Sequence, residues 1–188
     1  MKKLAVLVTI CLIVGWAYVV TQPKPTFVPP QAPQAPKVTY QQDPTLVNYA
    51  HQLGIDVSQL NLKYDQPKVN FTPNGGTVDA AFYAPNTLVI RPGSNNELKS
   101  VAHEYLHYQW SLGNKADPNL LMQVYNSNAA FRQRMYPYTS LGVGSEAFLN
   151  ELNSIECTEY LDSSLPVNLL NYCKQYLPNR NILPSLFR

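Results

Sequence analysis

Two histidines one helical turn apart constrain this chain more than any other feature. His103 and His107, in His103-Glu104-Tyr105-Leu106-His107, share a face only where the backbone is α-helical, because residues four apart stack above one another in that conformation. Both rings then reach one metal ion, and Glu104 stands where a carboxylate takes a proton from water. The flanks agree with a helix. Ser94 and Glu97 have the spacing of a capping box ahead of Leu98, Val101, Ala102, Tyr105, Gln109 and Leu112, which trace a largely apolar face, and Gly113 supplies a stop. Two of the chain's three histidines lie in the motif, and a pair of unrelated core histidines would not ask for the intervening glutamate. Zinc is the metal that this pattern predicts.

The five residues resemble the signature of the zincin metallopeptidases. A catalytic zinc needs a third protein ligand and an open fourth position. One zincin branch takes its third ligand from a His-x-x-Gly-x-x-His continuation, but Trp110 stands where the glycine belongs and Gly113 where the histidine belongs, so that branch is excluded. Another uses an Asp in Gly-Thr-x-Asp after the motif; Gly76-Thr77-Val78-Asp79 has that form but precedes the histidines. The gluzincin branch remains, in which the third ligand is a Glu on a later helix. Glu146, Glu151, Glu156 and Glu159 are available there.

Helical geometry discriminates among these four. Ala147, Glu151, Ser154 and Thr158 form a narrow stripe of small residues around one carboxylate, and such a stripe lets a second helix come close. Glu156 points to the bulky side with Leu149, Leu152 and Tyr160, and Glu146 belongs to the first turn, where it serves the helix dipole. Glu151 is the preferred ligand and Glu156 the alternative, with a solvated helix charge as the ordinary role of either. Asn150-Glu151-Leu152-Asn153-Ser154 also resembles the gluzincin pattern of Glu followed three residues later by a small side chain. The resemblance spans residues 97–161 and departs at Ile155, where many gluzincins carry an Asp or Asn that supports a zinc-bound His. It implies Glu104 as the proton carrier and an extended substrate beside an edge strand. Residues 77–84 are the candidate strand, with sheet packing of Phe82 as the other role for that segment. An oxyanion donor is also needed; Tyr83, Tyr136, Tyr138 and His51 are candidates, among thirteen tyrosines that otherwise serve packing.

The N-terminal part has a different character. Met1-Lys2-Lys3 precedes an almost wholly apolar run over residues 4–20, short for a spanning helix and long for the apolar part of a cleaved signal. No small-x-small cleavage site follows, and Ile10 before Cys11 is larger than a lipoprotein site prefers, so residues 1–20 read as an uncleaved anchor, with a secreted form as the alternative. Lysines ahead of the run place everything downstream outside the cytoplasm. Residues 21–42 hold Pro23, Pro25, Pro29, Pro30, Pro33 and Pro36 and read as an extended spacer, or alternatively as a ligand for a proline-binding partner.

The remaining 43–188 read as one domain. Asp43-Pro44 opens a helix that Gly54 ends, residues 68–72, 77–84 and 87–91 read as strands joined by turns short enough for antiparallel hairpins, and Asp117-Pro118, Ser145 and Pro166 open later helices. The predicted fold class is α+β, zincin-like, with a small antiparallel sheet followed by the helical motif and C-terminal helices. Cys157 and Cys173, the two cysteines beyond the apolar run, are expected to pair in an oxidising compartment, with buried free thiols as the alternative. A net charge of +2 with 14% charged residues leaves no footprint for nucleic acid. The expected function is a membrane-anchored, zinc-dependent metalloendopeptidase acting on protein or peptide substrates outside the cytoplasm. The competing expectations are a zinc-stabilised binding module without turnover and a structural component of a cell-envelope assembly.

Overall fold

The computed structural model describes residues 40–69, 77–184 and 186, all within the compact unit Thr39–Arg188. The apolar run over residues 4–20 and all but the end of the proline-rich segment lie outside the described residues. Among the described residues, no helix is long and apolar enough to cross a membrane.

The architecture is α+β. In chain order the elements are helix α1 (Pro44–Gln52), strands β1 (Asn61–Tyr64), β2 (Ala80–Tyr83) and β3 (Thr87–Ile90), and helices α2 (Glu97–Ser111), α3 (Pro118–Ser127), α4 (Ala129–Met135), α5 (Glu146–Glu159) and α6 (Val167–Tyr176). Short 3-10 turns follow α4, at Tyr136–Leu141, and α6, at Arg180–Ile182.

The sheet is mixed, which corrects the expectation of antiparallel hairpins. Its order is β1-β3-β2, with β3 parallel to β1 and antiparallel to β2. The β2–β3 hairpin forms as expected, its strand shortened to Ala80–Tyr83 and its turn carrying a cis Ala84–Pro85 bond. The strand expected at residues 68–72 is absent at Lys68 and Val69, and its remainder lies outside the described residues. Lys68 is instead tied by its backbone to the Tyr83 hydroxyl. The first strand is Asn61–Tyr64, where only Leu62 is fully buried. Gln41 and Gln42 run alongside it: Leu62 N–H donates to Gln41 O, and Gln42 forms a parallel bridge to Leu62. Among the described residues β2 is an edge of the sheet, with β3 as its one neighbour.

Side-chain caps set the helix starts. Asp43, Asp117 and Ser145 cap α1, α3 and α5 by accepting backbone N–H groups, as the sequence predicts. Each such cap stabilises its helix by about 1 kcal/mol. At α2 the cap is Asn96, which accepts from Lys99 N–H at 3.0 Å, rather than Ser94. Glu97 explains the difference. Its carboxylate accepts from Gly93 N–H and from the Tyr64 hydroxyl at 2.6 Å, so it pins the helix entry to β1 instead of reaching back within a capping box. Gly54 ends α1 with φ +76, and a Cβ there would stand 3.2 Å from Pro178, so both backbone conformation and space require glycine.

Helix α2 is the spine of the domain. Its Val101, Ala102, Tyr105, Leu106 and Trp110 are buried, and it packs against α1, β2 and β3 as well as α5. A helix covered on both sides holds its side chains in fixed rotamers, which suits a site built on it. The inner residues Leu62, Leu88 and Ile90 of the sheet join this core, as do Phe148, Leu152 and Ile155 of α5.

Candidate metal centre

The close packing of α5 on α2 brings three side chains together. His103 Nε2 and His107 Nε2 are 3.0 Å apart, and the Glu151 carboxylate straddles them with Oε2 at 3.4 Å from His103 and Oε1 at 3.5 Å from His107. Chosen one per residue, their ligand atoms all lie within 4.8 Å of one another. Two features of α5 permit the approach. Ser154 and Thr158 follow Glu151 on the same stripe and are buried, and their hydroxyls fold back onto the carbonyls of Asn150 and Ser154, so neither holds the helices apart.

The donor set fits zinc. A tetrahedral zinc with bonds of about 2.0–2.1 Å separates neighbouring ligand atoms by roughly 3.3–3.4 Å, and the distances above bracket that value. Glu151 is also in the ionised form a ligand needs. Burial pushes its carboxyl up, but a hydrogen bond with His103 and the proximity of His107 and Arg134 outweigh it and hold the group below the usual carboxylate range.

Asn150 completes the arrangement, and sequence reasoning missed it. His107 Nδ1 lies 2.9 Å from Asn150 Oδ1, so Nδ1–H donates to the amide carbonyl and Nε2 is left with its lone pair toward Glu151 and His103. Ile155, the position where the resemblance called for such a partner, is wholly buried in the core instead. The only sequence signal was adjacency: Asn150 immediately precedes Glu151.

Glu104 sits in the wall of the same cleft, which has a volume of about 290 Å³. Burial pushes its carboxyl up to about 7; Glu151 adds to the rise, while His107 and the Phe82 backbone N–H oppose it. That N–H belongs to the edge strand β2 and points Glu104 into the cleft. Phe82 itself packs edge-on against Tyr108 of α2 with ring centroids 6.0 Å apart, the packing role considered for that segment, and Ala81 and Phe82 also line the cleft.

Of the four candidate oxyanion donors, only Tyr138 lines this cleft. It arrives on the 3-10 turn Tyr136–Leu141, and burial, reinforced by Glu151, pushes its phenol up to about 12. The remaining carboxylates of α5 go elsewhere. Glu146 accepts from Trp110 Nε1 and Lys115 Nζ, both at 2.6 Å. Glu156 is buried with neither oxygen hydrogen-bonded, and Glu159 is buried between Lys99 and Arg134. Cys157, also on α5, is disulfide-bonded to Cys173 of α6, with Cα atoms 5.3 Å apart.

No family model, curated protein or solved structure matches this chain, so its geometry and chemistry carry the functional argument.

Proposed function

We propose that this chain is a zinc-dependent metallopeptidase with a zincin-like fold and a gluzincin ligand set, in which His103, His107 and Glu151 hold the metal and Glu104 carries the proton. Residues 1–20 anchor it in a membrane, and residues 43–188 hydrolyse peptide bonds of protein or peptide substrates on the extracytoplasmic side. The observation that carries the reading is the convergence of two imidazole nitrogens and one carboxylate on a single point, with a separate buried carboxylate in the same cleft. A module without turnover would have no use for Glu104 in that position.

Zinc bound there supplies a Lewis acid that polarises the scissile carbonyl and makes water acidic near neutral pH. The chain's own residues do the rest. Glu104, oriented by Phe82 N–H, takes the proton of the attacking water and returns it to the leaving amine. Tyr138 donates its phenolic proton as a hydrogen bond to the oxygen on which charge develops. Asn150 keeps His107 in the tautomer that presents Nε2. Strand β2, an edge among the described residues, receives the substrate backbone as an added strand.

The test compares metal content with turnover in the full-length chain. Wild type is expected to bind one zinc and cleave an unstructured protein substrate, His103→Ala to lose the metal, and Glu104→Gln to keep the metal but lose turnover. Full zinc occupancy in His103→Ala, or undiminished cleavage by Glu104→Gln, would falsify the proposal.

A further inference from the structure

His103 and Glu104 also form part of the wall of a second cleft, of about 190 Å³, on the Ala80 side of the edge strand. Its other walls carry an unusual charge arrangement. The buried Glu159 carboxylate accepts from Lys99 Nζ at 3.0 Å and from Arg134 Nη2 at 3.1 Å, both at Oε1, and from Arg134 Nε at 3.3 Å at Oε2. One anion is thus shared by two cations. A buried carboxylate needs one cation for neutrality, so within this triad the second cation is left over, and Glu104 is the acid on the same wall that balances it when ionised. Asp79, also on the wall, does not cancel it, because Arg91 pairs with Asp79.

The cations are not sealed in. The Lys99 side chain is 26% exposed and that of Arg134 37%, against 2% for Glu159. Glu159 therefore acts as a buried post that holds two cationic heads at the cleft wall. Of the three N–H donors of the Lys99 ammonium, one is spent on Glu159 among the described residues. The others face a cleft that shares His103 and Glu104 with the metal centre.

We propose that this cleft is a substrate subsite for a carboxylate, supplied by an acidic side chain beside the scissile bond or by the carboxyl terminus of a peptide. The inference rests on the peptidase reading for the orientation of the substrate and adds to it a substrate class. A peptide laid along β2 passes Ala81 and Phe82 at the metal cleft and Ala80 at the second cleft, so a residue next to the bond being cut reaches Lys99 and Arg134. Charge-assisted contacts of this kind reward a carboxylate over its neutral amide.

Binding rather than turnover tests this. The full-length chain carrying Glu104→Gln is titrated, by fluorescence anisotropy, with otherwise uncharged labelled peptides that differ at one position, Glu or Gln, each with a free or amidated C-terminus. The Glu peptide is expected to bind about tenfold more tightly than the Gln peptide, a factor of ten being about 1.4 kcal/mol. If the preference follows the free C-terminus instead, the carboxyl terminus is the source. Adding Lys99→Gln is expected to bring the carboxylate-to-amide ratio close to one, Lys99→Arg to preserve it, and Lys99→Glu to favour a Lys peptide. Thermal melting of each variant checks that it is folded. Equal binding of all peptides, no binding, or a preference undiminished in folded Lys99→Gln overturns the subsite. The two proposals fail separately. Carboxylate preference in a chain that binds no zinc and cleaves nothing removes the peptidase reading alone, whereas zinc-dependent cleavage without carboxylate preference removes the subsite alone.

Discussion

The amide oxygen of Asn150 lies 2.9 Å from Nδ1 of His107, one residue before the carboxylate that faces the same imidazole from its other side. Helix α5 therefore grips His107 twice in succession, through Asn150 at Nδ1 and Glu151 at Nε2. Asn150→Ala removes the first grip while leaving all three ligand atoms in place. Zinc affinity is expected to fall about 10- to 100-fold, the usual cost of losing such a supporting partner. Asn150→Asp, which keeps an acceptor at the same distance, is expected to retain most of it. Competition with a chromogenic chelator measures both, and unchanged affinity in Asn150→Ala would mean that the hydrogen bond does nothing for the metal.

Tyr138 is separable from the metal in the same way. Its phenol is at the cleft wall and its proton is firmly held, since burial pushes its pKa to about 12, so it remains a donor throughout the working range. Tyr138→Phe is expected to lower kcat by about 10²-fold with zinc content and KM little changed, in line with the loss of one oxyanion donor. Steady-state kinetics beside metal analysis decide it. A fall in KM-related binding with kcat intact would make Tyr138 a substrate contact instead.

How far the sequence alone reached depended on whether a feature is local. The His103 helix, its stop at Gly113 and the caps Asp43, Asp117 and Ser145 are legible because each rests on neighbours within one or two turns. The small-residue stripe carried the reasoning one step further, to the pairing of Glu151 with the two histidines. Strand β1 was illegible for the opposite reason. It is four residues long, has two polar residues on its outer face, Asn61 and Lys63, and owes its existence to a parallel register with Thr87–Ile90 far along the chain. Asn150 escaped because its role depends on the distance between two helices. Lys99, Arg134 and Glu159 escaped likewise, since the first two belong to α2 and α4 and meet only over α5.

The bridge between Cys157 and Cys173 joins α5, which carries Glu151, to α6. It closes a loop with a sequence separation of 16, and a loop of about 15 residues constrains the unfolded chain by about 3 kcal/mol in the chain-entropy account. Cys157→Ala with Cys173→Ala is expected to lower the unfolding free energy by about that amount in urea titrations. Non-reducing mass spectrometry of wild type provides the independent check. Two alkylatable thiols among these residues would rule the bridge out.

Glu156 is the alternative ligand that the fold places elsewhere, and its burial gives a pH-dependent prediction. Both its oxygens are buried without a hydrogen bond, Tyr160 one turn on is also buried, and burial holds the Glu156 carboxyl well above its ordinary value of 4.5. The folded chain therefore favours the protonated form more than the unfolded chain does. Its contribution to stability is complete below about pH 4.5 and is lost as pH rises toward the folded value, at up to about 1.4 kcal/mol per pH unit. Glu156→Gln replaces the acid with a neutral group of the same shape and abolishes that slope. Relative to wild type it is expected to gain stability as pH rises above about 4.5, until the folded carboxyl ionises, in urea titrations, and to keep its zinc. Glu151→Gln, by contrast, is expected to lose zinc at every pH, because it removes an anionic donor from the centre itself. Parallel stability curves for wild type and Glu156→Gln would show that the carboxyl finds a partner or water that relieves its burial. Loss of zinc in Glu156→Gln with retention in Glu151→Gln would transfer the ligand role from one face of α5 to the other.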